Sequence, residues 1–178
     1  ELIFRSDPSV AVAMKRAGVA VVSLANNHTP NFGTPGLLDT IRYLDGAGIK
    51  HAGAGLNIDQ ALAPALIERH GIRFAWLAFN DTDVAPASYG ATERRAGTAF
   101  MDVARMKTAV AKAKIMADLV IVSMHAGKEY AGQPNARQQV FARAAVDAGA
   151  DLVIGHHPHV VQPVEKYKGK YILYSLGN

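Results

Sequence analysis

The feature that most constrains the fold is a set of three short apolar runs, each followed within a few residues by histidine. The runs are VAVVSL (19–24), DLVIVSM (118–124) and DLVI (151–154), and they precede NNH, HAG and GHHPH. Apolar runs of this length, rich in valine and isoleucine, are typical of buried strands. Helical patterns lie between them, and this strand–helix alternation predicts an α/β fold around a mostly parallel sheet.

Turn residues refine the prediction. Asp7 and Thr34 are each followed by proline and a helical pattern, so we expect both to be helix N-caps. His70-Gly71 and Lys168-Gly169 each separate two strand-like segments, which predicts two hairpins that add antiparallel strands to the sheet. Since no internal repeat or linker interrupts the pattern, residues 1–178 are predicted to form a single domain.

The two ends of the chain and its amino-acid composition restrict the kinds of protein to which it can belong. The chain begins at Glu1 and stops at Asn178 directly after a strand-like segment, so we expect a domain that is cut at both ends. Its 19 lysines and arginines exceed its 15 acids, but they are dispersed, and no nucleic-acid partner is expected. The absence of cysteine excludes disulfides and thiolate metal sites.

The histidines concentrate where α/β proteins bind ligands. Five of the seven lie near the C-terminal end of a predicted strand: His28, His125, His156, His157 and His159. Ligands bind at that edge of open α/β sheets, so these groups share one crevice if the three strands are neighbours. Imidazoles and a carboxamide such as Asn27 suit a divalent transition metal. The alternative is that a buried histidine is only a hydrogen-bonded core residue.

The spacing within GHHPH adds to the metal interpretation. His157 and His159 are two residues apart, and in extended backbone their side chains leave on the same side. Pro158 restricts its own backbone and disfavours helical conformation at His157. We therefore expect the two imidazoles to be held ready as a pair of ligands.

Longer segments carry a more specific signal. SLANNHTPNFGTPGLLDT, MHAGKEY and DLVIGHHPHVVQPVEKYKGKYILYSLGN resemble the bacterial capsule-synthesis (poly-γ-glutamate biosynthesis) family of CapA type, which is similar to the calcineurin-like metallophosphoesterases. The resemblance extends from near Asp7 to Asn178. It implies a layered metallophosphatase-like fold with mixed sheets flanked by helices. It also implies a site for two divalent ions (manganese, zinc or iron) in the full-length protein.

The family motifs assign roles to the candidate residues. By resemblance, Asn27 of NNH would ligate one metal and His28 would face the substrate phosphate, and both would take part in catalysis. His125 would bind the same metal as Asn27, and His157 and His159 would bind one metal each. The residues implied to contact substrate or to orient these ligands are Asn26, His156 and Glu129. For Glu129 the alternative is a solvated loop carboxylate.

Two departures from the family pattern bear on activity. The D-x-H and G-D motifs, which would supply the remaining ligands and the bridging carboxylate, do not occur in residues 1–178 and would precede Glu1 in full-length relatives. Asn31 stands where the family usually has an acidic residue. The chain alone is therefore expected to hold one metal or none and to be inactive.

The resemblance implies two-metal hydrolysis of a phosphoester in the synthesis of a capsule or poly-γ-glutamate polymer. The alternative is a non-catalytic component that binds a polyanionic envelope polymer or a partner, and Asn31 and the net charge of +4 favour it. A third alternative is an amidohydrolase-like metal enzyme, which also uses an H-x-H motif. In those enzymes the motif lies near the start of the chain, so the position of HPH at residues 157–159 disfavours this alternative.

The family resemblance suggests a location at the cell envelope, with a membrane anchor outside these residues. An exposed sheet edge is expected to permit a homodimer.

Overall fold

The computed structural model describes residues 3–178, in which strands and helices alternate. The strands are β1 (Val21–Ser23), β2 (Lys50–Ala52), β3 (Ala54–Gly55), β4 (Ala65–Arg69), β5 (Ile72–Asn80), β6 (Gly97–Thr98), β7 (Leu119–His125), β8 (Leu152–His156), β9 (Val164–Tyr167) and β10 (Lys170–Leu173). The α-helices are α1 (Ser9–Arg16), α2 (Gly33–Gly46), α3 (Ile58–Ala61), α4 (Val103–Met116) and α5 (Ala136–Asp147).

A mixed sheet forms the centre of the described residues. Its strand order is β4-β5-β7-β8-β10-β9, in which β5, β7, β8 and β10 are parallel and the two edge strands are antiparallel. Each edge strand belongs to a predicted hairpin, and the turn residues His70 and Lys168 have φ angles of 52° and 48°. Such tight hairpin turns require positive φ. The predicted α/β fold with a mixed sheet flanked by helices is confirmed.

Helices α4 and α5 cover one face of this sheet. Leu77, Phe79 and Val122 are buried on that face, where the rings of Phe79 and Phe141 meet edge to face with centroids 5.3 Å apart. Helix α5 begins with a capping box, in which Asn135 and Gln138 each accept a hydrogen bond of 2.9 Å from the other's backbone N–H. This apolar core fixes the positions of the strand ends that carry the histidines.

Strand β1 lies in a second layer. It pairs with β2 in a separate parallel sheet and is not a neighbour of β7 or β8. Ala25, Ala52 and Ala78 are buried between this pair and the central sheet, and their small side chains allow the backbones to approach closely. The residues after β1 therefore approach the histidines from a second layer. They do not come from a neighbouring strand of the same sheet, as the sequence analysis had assumed.

The helix starts differ from the prediction by one residue or more. Helix α1 begins at Ser9 with Pro8 as its N-cap, so the prediction of Asp7 as N-cap is wrong by one position, although the Ser9 backbone N–H donates to Asp7 Oδ1 over 2.9 Å. Helix α2 begins at Gly33, and the prediction of Thr34 as its N-cap is wrong because Thr34 lies inside the helix. Among residues 3–178, no helix has the length and apolar character needed to cross a bilayer.

Candidate metal centre

Three separate segments meet at the carboxyl ends of the central strands. His125 ends β7 and His156 ends β8, and the two residues are opposite each other in the parallel register. The segment after β1 reaches the same place, since the Oδ1 atom of Asn27 lies 2.9 Å from Nε2 of His125. The predicted convergence of Asn27, His125 and the GHHPH segment is therefore what the structure contains.

The imidazoles in this cluster contact one another directly. Nδ1 of His125 lies 2.6 Å from Nδ1 of His156, and Nε2 of His156 lies 2.8 Å from Oγ of Ser123. The ring centroid of His125 is 4.8 Å from that of His157, which is 6.1 Å from that of His159. His156, expected to contact substrate or to orient a ligand, lies directly behind His125.

Burial keeps the central imidazoles neutral. Desolvation lowers the pKa of His125 to about 2, and the charges that neighbouring histidines can carry act in the same direction. Burial also lowers the pKa of His156 to about 4, with a further contribution from His157. The pKa of His157 is lowered by burial as well, against the opposing charge of Glu129. Neutral imidazoles are the form that binds metal ions.

His157 and His159 come together by a different route from the one predicted. Their φ angles are 109° and 58°, so the segment is not extended and the alternation argument is wrong. Backbone of this kind is uncommon for non-glycine residues and clusters at functional sites. Donor atoms of His157, His159 and Glu129 nevertheless all lie within 4.8 Å of one another. His157 is 8% exposed, and its Nδ1 atom has no hydrogen-bond partner within residues 3–178.

The residues after β1 hold His28 in a tight turn. Asn26 Oδ1 accepts hydrogen bonds from the backbone N–H groups of His28 and Thr29, at 2.8 and 2.7 Å. Asn26 therefore supports His28 through the turn, and its predicted contact with substrate stays a prediction. Nδ1 of His28 lies 3.0 Å from Oδ1 of Asn31. Asn31 thus orients the ring without the charge that an acidic residue would bring.

Asn80, which the sequence analysis did not identify, lies beside these ligands. It ends β5 and is opposite His125 in the register, so both side chains leave the sheet on the same face. Asn80 is 0% exposed, and neither polar atom of its carboxamide has a hydrogen-bond partner among residues 3–178. Buried polar groups are nearly always paired, so an unpaired one is a feature that requires a reason. The signal available in the sequence was its place at the end of an apolar run.

Replacing Asn80 with leucine is expected to raise the free energy of unfolding by about 1 kcal/mol, because it removes an unpaired buried dipole and keeps a similar volume. Urea denaturation measures the change. The control is Asn57→Leu, since the Asn57 side chain accepts a hydrogen bond from the backbone of Gln60, and losing that cap should cost about 1 kcal/mol. Equal losses in both variants would mean that the Asn80 carboxamide is paired in solution.

A second feature missed by the sequence analysis is the ion pair of Asp81 and Arg137. Asp81 is 0% exposed, and its Oδ1 atom lies 2.6 Å from Nη2 of Arg137 at the start of α5. The backbone N–H of Asp81 donates to the carbonyl oxygen of His125 over 3.0 Å. The pair therefore ties the end of β5 to α5 and to the end of β7. Because Asp81 and Arg137 lie far apart in the sequence, no local pattern predicts their contact.

Replacing Arg137 with alanine is expected to lower the free energy of unfolding by about 2 kcal/mol, because it leaves the Asp81 carboxylate buried without its cation. The matched control is Arg143→Ala. Arg137 and Arg143 are both 45% exposed, but Glu165, the partner of Arg143, is 25% exposed and can be hydrated. Chemical denaturation of both variants compares them, and equal losses would contradict the role assigned to Asp81 burial.

The fold and the site first define a class of protein. It is an α/β protein with a mixed sheet flanked by helices, in which imidazoles and a carboxamide meet at the strand ends as a candidate metal centre. The chain is similar in fold to the crystal structure of a "Putative 5'-Nucleotidase" from Staphylococcus aureus, with a TM-score of 0.59, 14% identity, and coverage of 96% of this chain and 37% of that chain. At this identity the likeness concerns the fold alone, and it agrees with the predicted fold class.

The chain belongs to the bacterial capsule synthesis protein PGA_cap family, whose model matches residues 1–178. It is 42% identical over 170 residues to "Capsule biosynthesis protein CapA" of Bacillus anthracis, covering 93% of this chain and 41% of that protein. It is 35% identical to "PGA biosynthesis protein CapA" of Bacillus subtilis (strain 168), covering 100% and 47%. The predicted family is confirmed, and the chain spans less than half the length of these relatives.

The donor set of the site fits a divalent ion. Asn27 Oδ1 and His125 Nε2 are 2.9 Å apart, which two ligands of one ion can be when each bond is about 2.1 Å long. His157 offers a buried nitrogen without a partner in the described chain, and Glu129 and His159 lie beside it. Imidazole, carboxamide and carboxylate donors without thiolate suit manganese, zinc or iron rather than a soft copper site.

Proposed function

We propose that this chain is the metal-dependent phosphoesterase domain of a protein that acts in the synthesis of a capsule or poly-γ-glutamate polymer. The observation that carries the proposal is the meeting of Asn27, His125 and His157 from three distant segments. Membership of the PGA_cap family supports the biological setting, and the metallophosphoesterase-like fold supports the type of chemistry. A location at the cell envelope is part of the same proposal.

Each residue has a defined task in this proposal. Asn27, His125 and His157 would hold one divalent ion, and His159 with Glu129 would contribute to a neighbouring position. A bound ion would polarise the phosphoryl group and lower the pKa of a coordinated water. His28 would handle the proton of the leaving oxygen at Nε2, because Nδ1 is engaged with Asn31. The partly buried rings around this point would limit the access of water.

The test uses the full-length natural protein, stripped of metal and reloaded with manganese, zinc or iron. We expect metal-dependent cleavage of a generic aryl phosphate, and loss of at least a hundredfold in activity in the His125→Ala and His157→Ala variants. His70→Ala is the control, because His70 is an exposed residue in the β4–β5 turn. Absence of turnover with every metal would reject the catalytic proposal.

The second candidate function is binding of a polyanionic envelope polymer without catalysis. Asn31 favours it, since an uncharged side chain contacts His28 where relatives usually carry an acid. In that case the full-length protein would bind poly-γ-glutamate and show no phosphatase activity with any metal. Isothermal calorimetry with the polymer, run beside the phosphatase assay on the same preparation, separates the two functions.

A further inference from the structure

A continuous chain of hydrogen bonds runs behind the proposed metal position. Oγ of Ser123 lies 2.8 Å from Nε2 of His156, whose Nδ1 lies 2.6 Å from Nδ1 of His125. Nε2 of His125 then lies 2.9 Å from Oδ1 of Asn27. Ser123 is 1% exposed, so water does not compete for this end of the chain. The strands fix the row, because Ser123 and His125 share one face of β7, and His125 lies opposite His156.

The positions of the protons follow from these contacts. Each hydrogen bond holds one proton, and a carboxamide oxygen only accepts. With Oδ1 of Asn27 facing the ring, Nε2 of His125 carries the proton and Nδ1 of the neutral ring accepts. His156 therefore donates from Nδ1, and its Nε2 accepts from the hydroxyl of Ser123. The hydrogen bonds run in one direction, from Ser123 to Asn27.

Binding of a cation to Nε2 of His125 requires the opposite direction. Nε2 must then be free of hydrogen, so the neutral ring of His125 is the tautomer protonated at Nδ1, and this N–H donates to Nδ1 of His156. His156 then carries its proton on Nε2 and donates to Ser123, whose hydroxyl can accept as well as donate. The three side chains hold three protons in both arrangements, so the reversal releases and consumes none. Only the direction of the hydrogen bonds changes.

We propose that Ser123 and His156 form a reversible hydrogen-bond chain that sets which nitrogen of His125 carries the proton, and that they thereby position His125 for a divalent cation. The inference rests on the proposed function, in which Asn27 and His125 hold the ion. Ligating histidines normally donate their second ring N–H to a partner, and loss of such a partner typically weakens metal binding by 10- to 100-fold. Ser123 matters because a hydroxyl satisfies His156 in either direction.

The first test measures affinity for zinc by isothermal calorimetry on the purified full-length protein. Ser123→Ala is expected to raise the dissociation constant at least tenfold, since His156 loses its partner in both arrangements. Ser23→Ala is the matched control, because Ser23 Oγ is buried on β1 and has no hydrogen-bond partner in the part of the chain that the structure describes. Equal zinc affinity of the two variants would overturn the proposal.

The second test observes the ring protons directly, by long-range ¹⁵N–¹H NMR on protein labelled with ¹⁵N-histidine. We expect His125 to be protonated at Nε2 and His156 at Nδ1 without zinc, and both assignments to exchange when zinc binds. If zinc binds but His156 keeps the same protonated nitrogen, the hydrogen-bond chain is wrong while the metal centre stands. If the wild-type protein binds no zinc, the metal centre of the proposed function fails, and the reversal fails with it.

Discussion

Replacing Gly155 with alanine is expected to lower the free energy of unfolding by about 3 kcal/mol and to disrupt the histidine cluster. A Cβ at this position would overlap the carbonyl oxygen of Tyr174 and lie 2.8 Å from its carbonyl carbon. Both are backbone atoms of the segment after β10 and cannot rotate away. The strands must separate, which also weakens the 3.0 Å hydrogen bond from Leu176 N–H to the Gly155 carbonyl. Overpacking of this kind costs 1–3 kcal/mol or more.

Urea denaturation and zinc titration of Gly155→Ala measure the two consequences. Gly132→Ala is the control, since a Cβ there meets no atom within 4 Å. We expect the control to keep wild-type stability and affinity. If Gly155→Ala also behaved like the wild type, the close approach of β8 to the Tyr174 backbone would not hold in solution. The glycine of GHHPH would then have no steric explanation.

The fold was largely predictable because its signals are local. The runs that became β7 and β8 are buried on the face toward α4 and α5, and His70-Gly71 and Lys168-Gly169 form hairpin turns whatever lies around them. Thr34 failed as a cap because helix α2 already begins at Gly33, whose φ of 64° is a conformation that glycine permits but does not require. Strand β1 pairs with β2, and that choice depends on packing of Ala25 against Ala78 across layers.

The site was predictable in its members and less so in its geometry. Histidines at strand ends meet because parallel strands place their carboxyl ends at one edge, which the order of strands and helices already implied. The backbone of His157 and His159 was not predictable, since both have positive φ angles, which are uncommon for residues other than glycine. The pairing of Asp81 with Arg137 depends on tertiary structure in the same way.

Stability of the metal-free protein is expected to fall steeply in mild acid. The pKa of His156 is about 4 in the folded protein because the ring is buried beside His157, and about 6.5 in the unfolded chain. The unfolded state therefore binds a proton at a higher pH than the folded state does. The stability due to neutral His156 is fully present above pH 6.5 and is lost as the pH falls to about 4, at a cost of about 3 kcal/mol.

Urea denaturation in the presence of a chelator, at intervals from pH 7.5 to 4.5, measures this loss. His156→Gln is expected to reduce the slope of unfolding free energy against pH by about one proton, because glutamine does not titrate. His70→Gln, in the exposed β4–β5 turn, is the control variant. Part of the remaining slope of the His156→Gln variant would belong to His125, whose pKa is lowered to about 2, and part to His157, whose pKa burial also lowers. An identical slope in wild-type and His156→Gln protein would show that this imidazole is hydrated, which is incompatible with its place between Ser123 and His125.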